Sequence, residues 1–337
     1  MQILVTGGAG YIGSHTAKLL AGAGFEPVVF DSLVRGRRET VRWGPLVEAS
    51  LDDRAALEAV FREYSIGAVI HFAAFAYVGE SMRAPETYFR NNVVNTIHLL
   101  DAMKQAGIRQ IIFSSSCASY GHPQEIPISE DHPQQPVNPY GESKLLVERI
   151  LRWYGEIDGL KWISLRYFNA AGADPGGELG ELHEPETHLI PLAISAALGA
   201  TPCLDIYGTD YDTPDGTAIR DYLHVSDIAA AHLAALRYLQ SGGSSGSFNL
   251  GTGEGHSVRE VVAAVERVSG RRVAVREAGR RQGDPAALIA LVSKAREILG
   301  WRAGHSTLDE IARTAWNWHS KLAGHGANDC SNARVSA

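Results

Sequence analysis

Three glycines at a fixed spacing follow the first apolar run, and they restrict the fold more than any other feature of the chain. Gln2-Ile3-Leu4-Val5-Thr6 is short and apolar, consistent with a buried strand. Gly7, Gly10 and Gly13 follow in Gly7-Gly8-Ala9-Gly10-Tyr11-Ile12-Gly13, and Ser14 to Ala23 then reads as a helix. The spacing is G-x-x-G-x-x-G, where the usual dinucleotide fingerprint is G-x-G-x-x-G. The physical needs are similar: a tight turn, close approach of backbone to a pyrophosphate, and a helix packed hard on its strand. The helix N-terminus then offers an anion site. A second strand, Pro27-Val28-Val29-Phe30, ends at Asp31, 18 residues after Gly13. A carboxylate near that spacing accepts from a ribose 2′-hydroxyl and repels a 2′-phosphate. NAD is therefore expected over NADP. Arg35, Arg37 and Arg38 weigh the other way, because a nearby arginine can take a 2′-phosphate. The plainer possibility is a glycine-rich turn without a ligand.

A second signal is Tyr140 and Lys144 in Asn138-Pro139-Tyr140-Gly141-Glu142-Ser143-Lys144. Pro139 suits a first helical position, and residues i and i+4 share a helix face. A free tyrosine has a pKa of about 10, so half-ionising it at pH 7 needs roughly 4 kcal/mol. One cation at about 5 Å offers roughly 3 kcal/mol at an effective dielectric near 20. A second cation, such as an oxidised nicotinamide ring, could supply the rest. The pair is expected to act as a tuned general base; alone, it would equally suit two solvated residues on a surface helix. The strand Gln110-Ile111-Ile112-Phe113 ends in Ser114-Ser115-Ser116. Ligands bind at the carboxyl ends of parallel strands. Ser116, 24 residues before Tyr140, could bond a substrate hydroxyl and relay its proton; its plainer role is capping the next helix.

Strands and helices alternate through the first half. Leu46 to Ala49, Ala68 to Phe72 and Trp162 to Leu165 read as strands. Arg54 to Tyr64, capped by Asp52 or Asp53, reads as a helix, as does Pro85 to about Gln105, closed by Gly107. The expected fold is α/β: a Rossmann-type doubly wound parallel sheet with a smaller mixed α/β lobe. The expected division is 1–170, then 171–323 with about 226–240 returning to the first domain, then an unstructured tail at 324–337. With 337 residues and 45% hydrophobic content there is ample material for this core. A net charge of −7 argues against a nucleic-acid surface. No run of 18 apolar residues suggests a membrane span. The chain opens directly on a strand, and its three cysteines form no C-x-x-C, so a cytoplasmic setting is expected.

These motifs together resemble the extended short-chain dehydrogenase/reductases, and within them the UDP-glucose 4-epimerase family, over about residues 1 to 320. Further marks are His71-Phe72-Ala73-Ala74, Val78-Gly79-Glu80-Ser81 and Arg166-Tyr167-Phe168-Asn169-Ala170-Ala171-Gly172. Asp215-Gly216-Thr217, Arg220-Asp221-Tyr222-Leu223-His224-Val225 and Arg280-Arg281-Gln282-Gly283-Asp284 complete the set. The resemblance implies an NAD-dependent isomerase that interconverts UDP-glucose and UDP-galactose through a 4-keto sugar. It implies Ser116, Tyr140 and Lys144 as catalytic. It implies cofactor contacts from Gly7, Gly10, Tyr11, Ile12, Gly13, Asp31, Ser32, Ser50, Leu51, Phe72, Ala73, Ala74, Asn91, Ser114 and Phe168 as well as Tyr140 and Lys144. On the substrate side it implies the diphosphate on Arg220 and Arg281, Tyr222 and Asp284 at the nucleoside, and Asn169 near the diphosphate-sugar. Leu189, Ile206 and Tyr207 would flank the uracil, with His188 and Leu288 also lining the substrate site. A homodimer is implied through the helices that carry Val93, Ile97, Leu100 and Met103, and Leu146, Ile150 and Tyr154.

Some positions depart from the pattern. Ser50-Leu51 stands where an acid and isoleucine commonly meet adenine, Ala76 replaces a lysine of some relatives, Ala118 a frequent threonine, and Leu288 a tyrosine beside the sugar. A 4,6-dehydratase would need an Asp-Glu pair after the strand-end hydroxyl, where Cys117 and Ala118 stand; a decarboxylase would need a carboxylate in the same region. The motifs are also compatible with a UDP-sugar epimerase for N-acetylhexosamine or pentose and, in a different class, with a non-catalytic NAD sensor. Gly242-Gly243-Ser244-Ser245-Gly246 fits a nucleophile-elbow pattern but sits in a Gly/Ser-rich stretch. His183 and His188 are five apart, not at the spacing of a helical zinc pair, so no metal is expected.

Overall fold

Apolar residues run without a break along each early strand, so each strand buries both faces. Ile3 and Val5 join one buried cluster while Leu4 joins the other, as a period of two requires. The computed structural model describes residues 1–281 and 283–332. Its first half runs β1 (Gln2–Thr6), α1 (Tyr11–Gly22), β2 (Glu26–Asp31), β3 (Leu46–Glu48), α2 (Arg54–Glu63), β4 (Ile66–His71), α3 (Val78–Ser81), α4 (Pro85–Tyr88), α5 (Asn95–Gln105), β5 (Gln110–Ser116), α6 (Pro139–Asp158) and β6 (Lys161–Tyr167). The second half runs β7 (Asn169–Ala171), α7 (Leu189–Leu198), β8 (Leu204–Tyr207), β9 (Ile219–Arg220), β10 (Tyr222–His224), α8 (Val225–Gln240), β11 (Gly246–Leu250), β12 (His256–Ser257), α9 (Val258–Ser269), β13 (Val275–Ala278), β14 (Ala287–Leu288), α10 (Ser293–Ile298) and α11 (Leu308–Asn332).

Seven parallel strands form the main sheet in the order β3-β2-β1-β4-β5-β6-β11. Strands are added outward in one direction from β1 to β3 and in the other from β4 onward. That switch point opens a crevice at the carboxyl ends of the strands. One buried cluster joins Ile3, Val5, Ile112 and Ile163 to Ile228 and Leu236 of α8. The other joins Leu4, Val28, Val69 and Ile111 to Leu99, Met103, Val147 and Leu151 of α5 and α6. Strand β11 also joins the main sheet, beside β6, which adds residues 246–250 to the 226–240 stretch that packs with the first half. A third cluster holds α7, α9 and α11 together through Ile190, Ile194, Val261, Val265 and Ile311.

The single helix expected from Pro85 to Gln105 is instead broken by a π-helical stretch, Phe89–Val94. The wider turn brings Asn92 inward. Its side chain accepts from Phe75 N (2.8 Å) and donates to Phe75 O (2.9 Å) and Ser143 Oγ (3.0 Å). The loop after β4 is thereby fastened to α6, a common use of a π-bulge near a site. Gly107, with φ +73, follows the last turn as expected. Asp53 is the N-cap of α2 and accepts from Ala56 N at 3.0 Å.

The unstructured tail expected from residue 324 meets a helix that continues to Asn332. Propagation adds one hydrogen bond per residue once a helix is anchored, and no proline stops this one. Its anchor is Trp318, which donates to Glu181 O at 3.0 Å. Residues 333–337 of that tail lie outside the described residues. Among the described residues, no helix is long and apolar enough to cross a membrane.

Candidate active site

The glycine turn after β1 is shaped by close approaches. Gly7 has φ +72, and a Cβ there would lie 2.5 Å from Ala73 N, beyond β4. A Cβ on Gly13 would lie 2.2 Å from Gly7 O. Any side chain at these two positions would fill the cradle at the N-terminus of α1. Asp31, 8% exposed, closes the cradle by accepting from Ala9 N and Leu33 N, both at 2.9 Å. Burial raises its pKa, and the two backbone bonds oppose that rise. The three nearby arginines are engaged: Arg35 with Glu80 (2.9 Å), Arg37 with Glu184 (3.3 Å) and Arg38 with Glu48. The cradle therefore suits a free 2′-hydroxyl better than a 2′-phosphate.

Helix α6 delivers Tyr140 from its first turn. Asn138 caps it by accepting from Gly141 N at 2.8 Å, and Pro139 opens it. Gly141 is required by proximity, since a Cβ there would meet Ala118 O at 2.4 Å. The start of α6 thus lies against the turn that follows Ser116. The Ser116 hydroxyl faces the Tyr140 phenol and lowers its pKa, and Ser116 Oγ accepts from Ala118 N at 3.2 Å.

The electrostatics differ from the expectation. Burial pushes the Tyr140 phenol up to about 12, with Ser116 opposing. Burial pushes the Lys144 ammonium down to about 7, with Glu148 opposing. Lys144 Nζ donates to Ser114 O at 2.7 Å and lies 5.9 Å from the Tyr140 ring centre. The i,i+4 spacing does put both groups on one face. Desolvation of both then outweighs their attraction, and the backbone claims the ammonium. The chain's own groups leave the phenol protonated at neutral pH, so positive charge from a cofactor has more to do than the spacing implied.

One cleft of about 980 Å³ collects most of the expected residues, at the upper end for a small-molecule site. All the expected cofactor residues line it, from Gly7 and Asp31 to Ser114 and Phe168. So do Ser116, Tyr140, Asn169, His188, Leu189, Arg220, Tyr222, Asp284 and Leu288. Arg220 Nη2 is 3.4 Å from Asp284 Oδ1. Ile206, Tyr207 and Arg281 are not on the cleft lining. Ile206 is buried within β8, and the Arg281 guanidinium stacks 4.1 Å from the exposed Tyr207 ring, so the two cover each other outside. The Tyr77 ring faces Arg35 at 5.0 Å and His183 at 5.6 Å.

Tyr167, Glu181 and His183 also line the cleft, although no role at the site was expected of them. The Tyr167 hydroxyl contacts Ser114 Oγ. A signal for it does exist, because it precedes Phe168 at the end of a strand. Cys117 is buried and its thiol is pushed up to about 12, so it stays protonated. Glu181 and the histidines converge only because a loop folds back. His183 Nδ1 lies 2.8 Å from Glu181 Oε1, which His188 Nδ1 also contacts. Burial would raise Glu181, yet the two imidazoles hold it down at about 2. Against its own burial, His188 is raised to about 9 by Glu181. Helical spacing is the wrong test for this pair, since His183 lies in a loop and His188 caps α7. The Gly242–Gly246 stretch leads from a helix into β11, the reverse of a nucleophile elbow.

Residues 3–251 match the model of the NAD dependent epimerase/dehydratase family. The chain is 51% identical over 323 residues to a UDP-glucose 4-epimerase of Rhizobium leguminosarum bv. trifolii, covering 96% of this chain and 98% of that one. It is similar to the crystal structure of UDP-glucose 4-epimerase from Brucella ovis in complex with NAD, with TM-score 0.92, 53% identity, and 94% and 97% of the two chains covered. It is also similar to a UDP-glucose-4-epimerase from Stenotrophomonas maltophila with bound NAD and formylated UDP-arabinopyranose, with TM-score 0.94, 40% identity, and 96% and 99% covered.

Proposed function

Since the chain belongs to the NAD dependent epimerase/dehydratase family, we propose that it reversibly epimerises UDP-glucose and UDP-galactose at C4, using tightly bound NAD. The observation that carries this reading is that Ser116, Tyr140 and Lys144 line the same cleft as the glycine cradle and Asp31. Gly7, Gly10 and Gly13 admit the pyrophosphate at the α1 N-terminus, and Asp31 takes the ribose hydroxyl. Bound NAD supplies the hydride acceptor and, in the second half of the turnover, the donor. Tyr140 removes the proton of the C4 hydroxyl, Ser116 orients that hydroxyl, and Tyr140 later returns the proton. Lys144 orients the nicotinamide ribose. Arg220, Tyr222 and Asp284 hold the UDP end. Binding energy is thus spent away from the reacting carbon, and the 4-keto sugar can turn its other face. An NAD sensor would have no use for a serine facing a buried tyrosine.

Incubating the purified chain with UDP-galactose, without added cofactor, is expected to yield UDP-glucose. No product even after NAD is added would reject the reading. Leu288 at the sugar wall leads to a second expectation: measurable turnover of UDP-N-acetylgalactosamine or UDP-xylose beside UDP-galactose. Leucine is shorter than tyrosine and has no hydroxyl to place, and such a change is worth about 1–3 kcal/mol of discrimination. Comparing kcat/KM for the three substrates in wild type and Leu288→Tyr decides it. Undetectable turnover of both further substrates would refute the roomier pocket.

A cytoplasmic homodimer paired through α5 and α6 is part of the same proposal. Of the residues read in the sequence, Leu100 and Met103 are buried against the sheet, whereas Val93, Ile97, Leu146, Ile150 and Tyr154 are half-buried. Val94, Trp153 and Ile157 are exposed instead, at 43%, 53% and 75%. Trp153 and Ile157 are four apart and share a face of α6. A two-fold axis beside that face would cover them. Light scattering is expected to give a dimer mass, and Trp153→Asp with Ile157→Asp a monomer. A monomeric wild type at micromolar concentration would count against it.

A further inference from the structure

The loop of residues 172–188, between β7 and α7, turns four potential ligands toward one point on the cleft wall. Glu181, His183, Glu186 and His188 each bring one donor atom, and the four atoms lie within 4.8 Å of one another. Glu181 is only 2% exposed, and its carboxylate is met by the two imidazoles, His183 Nδ1 at 2.8 Å and His188 Nδ1. The second carboxylate is held in place, since Glu186 Oε1 accepts from Thr187 N (2.7 Å) and His188 N (2.8 Å). With a metal in place of the imidazole protons, two carboxylates and two neutral imidazoles sum to a charge that a divalent cation balances. Nitrogen and oxygen donors without thiolate suit Zn²⁺, with bonds of about 2.0–2.2 Å. Donors placed tetrahedrally at such bond lengths are about 3.4 Å apart, and the four atoms form a group no wider than 4.8 Å.

We propose that Glu181, His183, Glu186 and His188 form a Zn²⁺-class metal site that clasps this loop against the cofactor cradle. The His183 ring packs edge-on against Tyr11, the first residue of α1, at 6.3 Å between centres. Glu184, between the ligands, accepts from Arg35 Nη1 (3.3 Å) through its carbonyl and pairs with Arg37 (3.3 Å). The loop therefore already spans from α7 to the segment that follows Asp31. A metal in this position fixes the fold of residues 181–188 and, with it, the His183 and Glu184 contacts to the cradle.

The test uses the full-length protein, stripped with a chelator and then dialysed against micromolar Zn²⁺. One zinc per chain is expected by elemental analysis, together with a higher melting temperature on saturation. Co²⁺ in its place is expected to show the visible bands of a four-coordinate site. His183→Ala and Glu186→Gln, each verified as folded by circular dichroism, should retain at least tenfold less metal and show no zinc-dependent melting shift. Absence of zinc from the wild type, or equal zinc in the wild type and both variants, would overturn the proposal and leave a hydrogen-bonded His-Glu-His group.

Discussion

Tyr140→Phe is expected to lower turnover of UDP-galactose by about 10²- to 10⁴-fold, the usual contribution of a general base, while NAD stays bound. Only one hydroxyl is removed, and the ring remains packed at the start of α6. The hydroxyl is the group whose pKa Ser116 lowers. Its ionisation also governs the pH profile. Burial pushes the phenol up to about 12, so the phenolate fraction rises tenfold per pH unit below that value. Cationic charge from the bound cofactor moves this limb toward neutrality without changing its sign. The wild-type rate should therefore climb as pH rises, and Tyr140→Phe should lose the climb as well as the rate. A variant that kept more than about a tenth of the wild-type rate, or the same alkaline limb, would remove Tyr140 from the role of base.

Glu148→Ala is expected to destabilise the fold by about 3–5 kcal/mol, the cost of leaving one partner of a buried ion pair uncompensated. Glu148 and Arg166 meet at 2.5 Å with both side chains 6% exposed. Glu148 also accepts from Ser115 Oγ at 2.5 Å, and Arg166 donates to Tyr120 Oη at 2.8 Å and Glu130 O at 3.2 Å. The network ties α6 to β5 and β6 just behind the catalytic strand end. Ser115 lies between Ser114, which holds Lys144, and Ser116, so activity should fall along with stability. The melting temperature should drop by roughly 4–7 °C for a chain of this size. Replacing both partners by apolar residues, Glu148→Leu with Arg166→Met, should recover part of the loss, because no buried charge is then left alone. A loss below about 1 kcal/mol in the single variant would mean that water or a rearranged neighbour satisfies Arg166.

What could be read without coordinates was local. The Gly7-Gly10-Gly13 spacing, the acid at the end of β2 and the four-residue step from Tyr140 to Lys144 each lie within a few turns of chain. Backbone geometry fixes what such spacings can bring together, so the parallel sheet, the cradle and the shared helix face of Tyr140 and Lys144 were legible. The same logic marked Asp52 or Asp53 as a cap and Pro139 as a helix start, since a helix beginning is decided by the next three residues.

What the tertiary structure decided depends on segments far apart in sequence and on burial. No spacing rule links Gly141 to Ala118 O, or signals that Phe89–Val94 widens into a π turn to aim Asn92 at Phe75 and Ser143. Periodicity marked Leu100 and Met103 as apolar but could not say whether the sheet or a second chain covers them; the sheet does. Glu181 reaches His183 and His188 through a loop, where helical spacing does not apply. Burial also reverses the expected balance at Tyr140 and Lys144. Sequence places two groups on one face, but the work of removing each from water is set by every atom packed around them, and only the folded chain supplies those atoms.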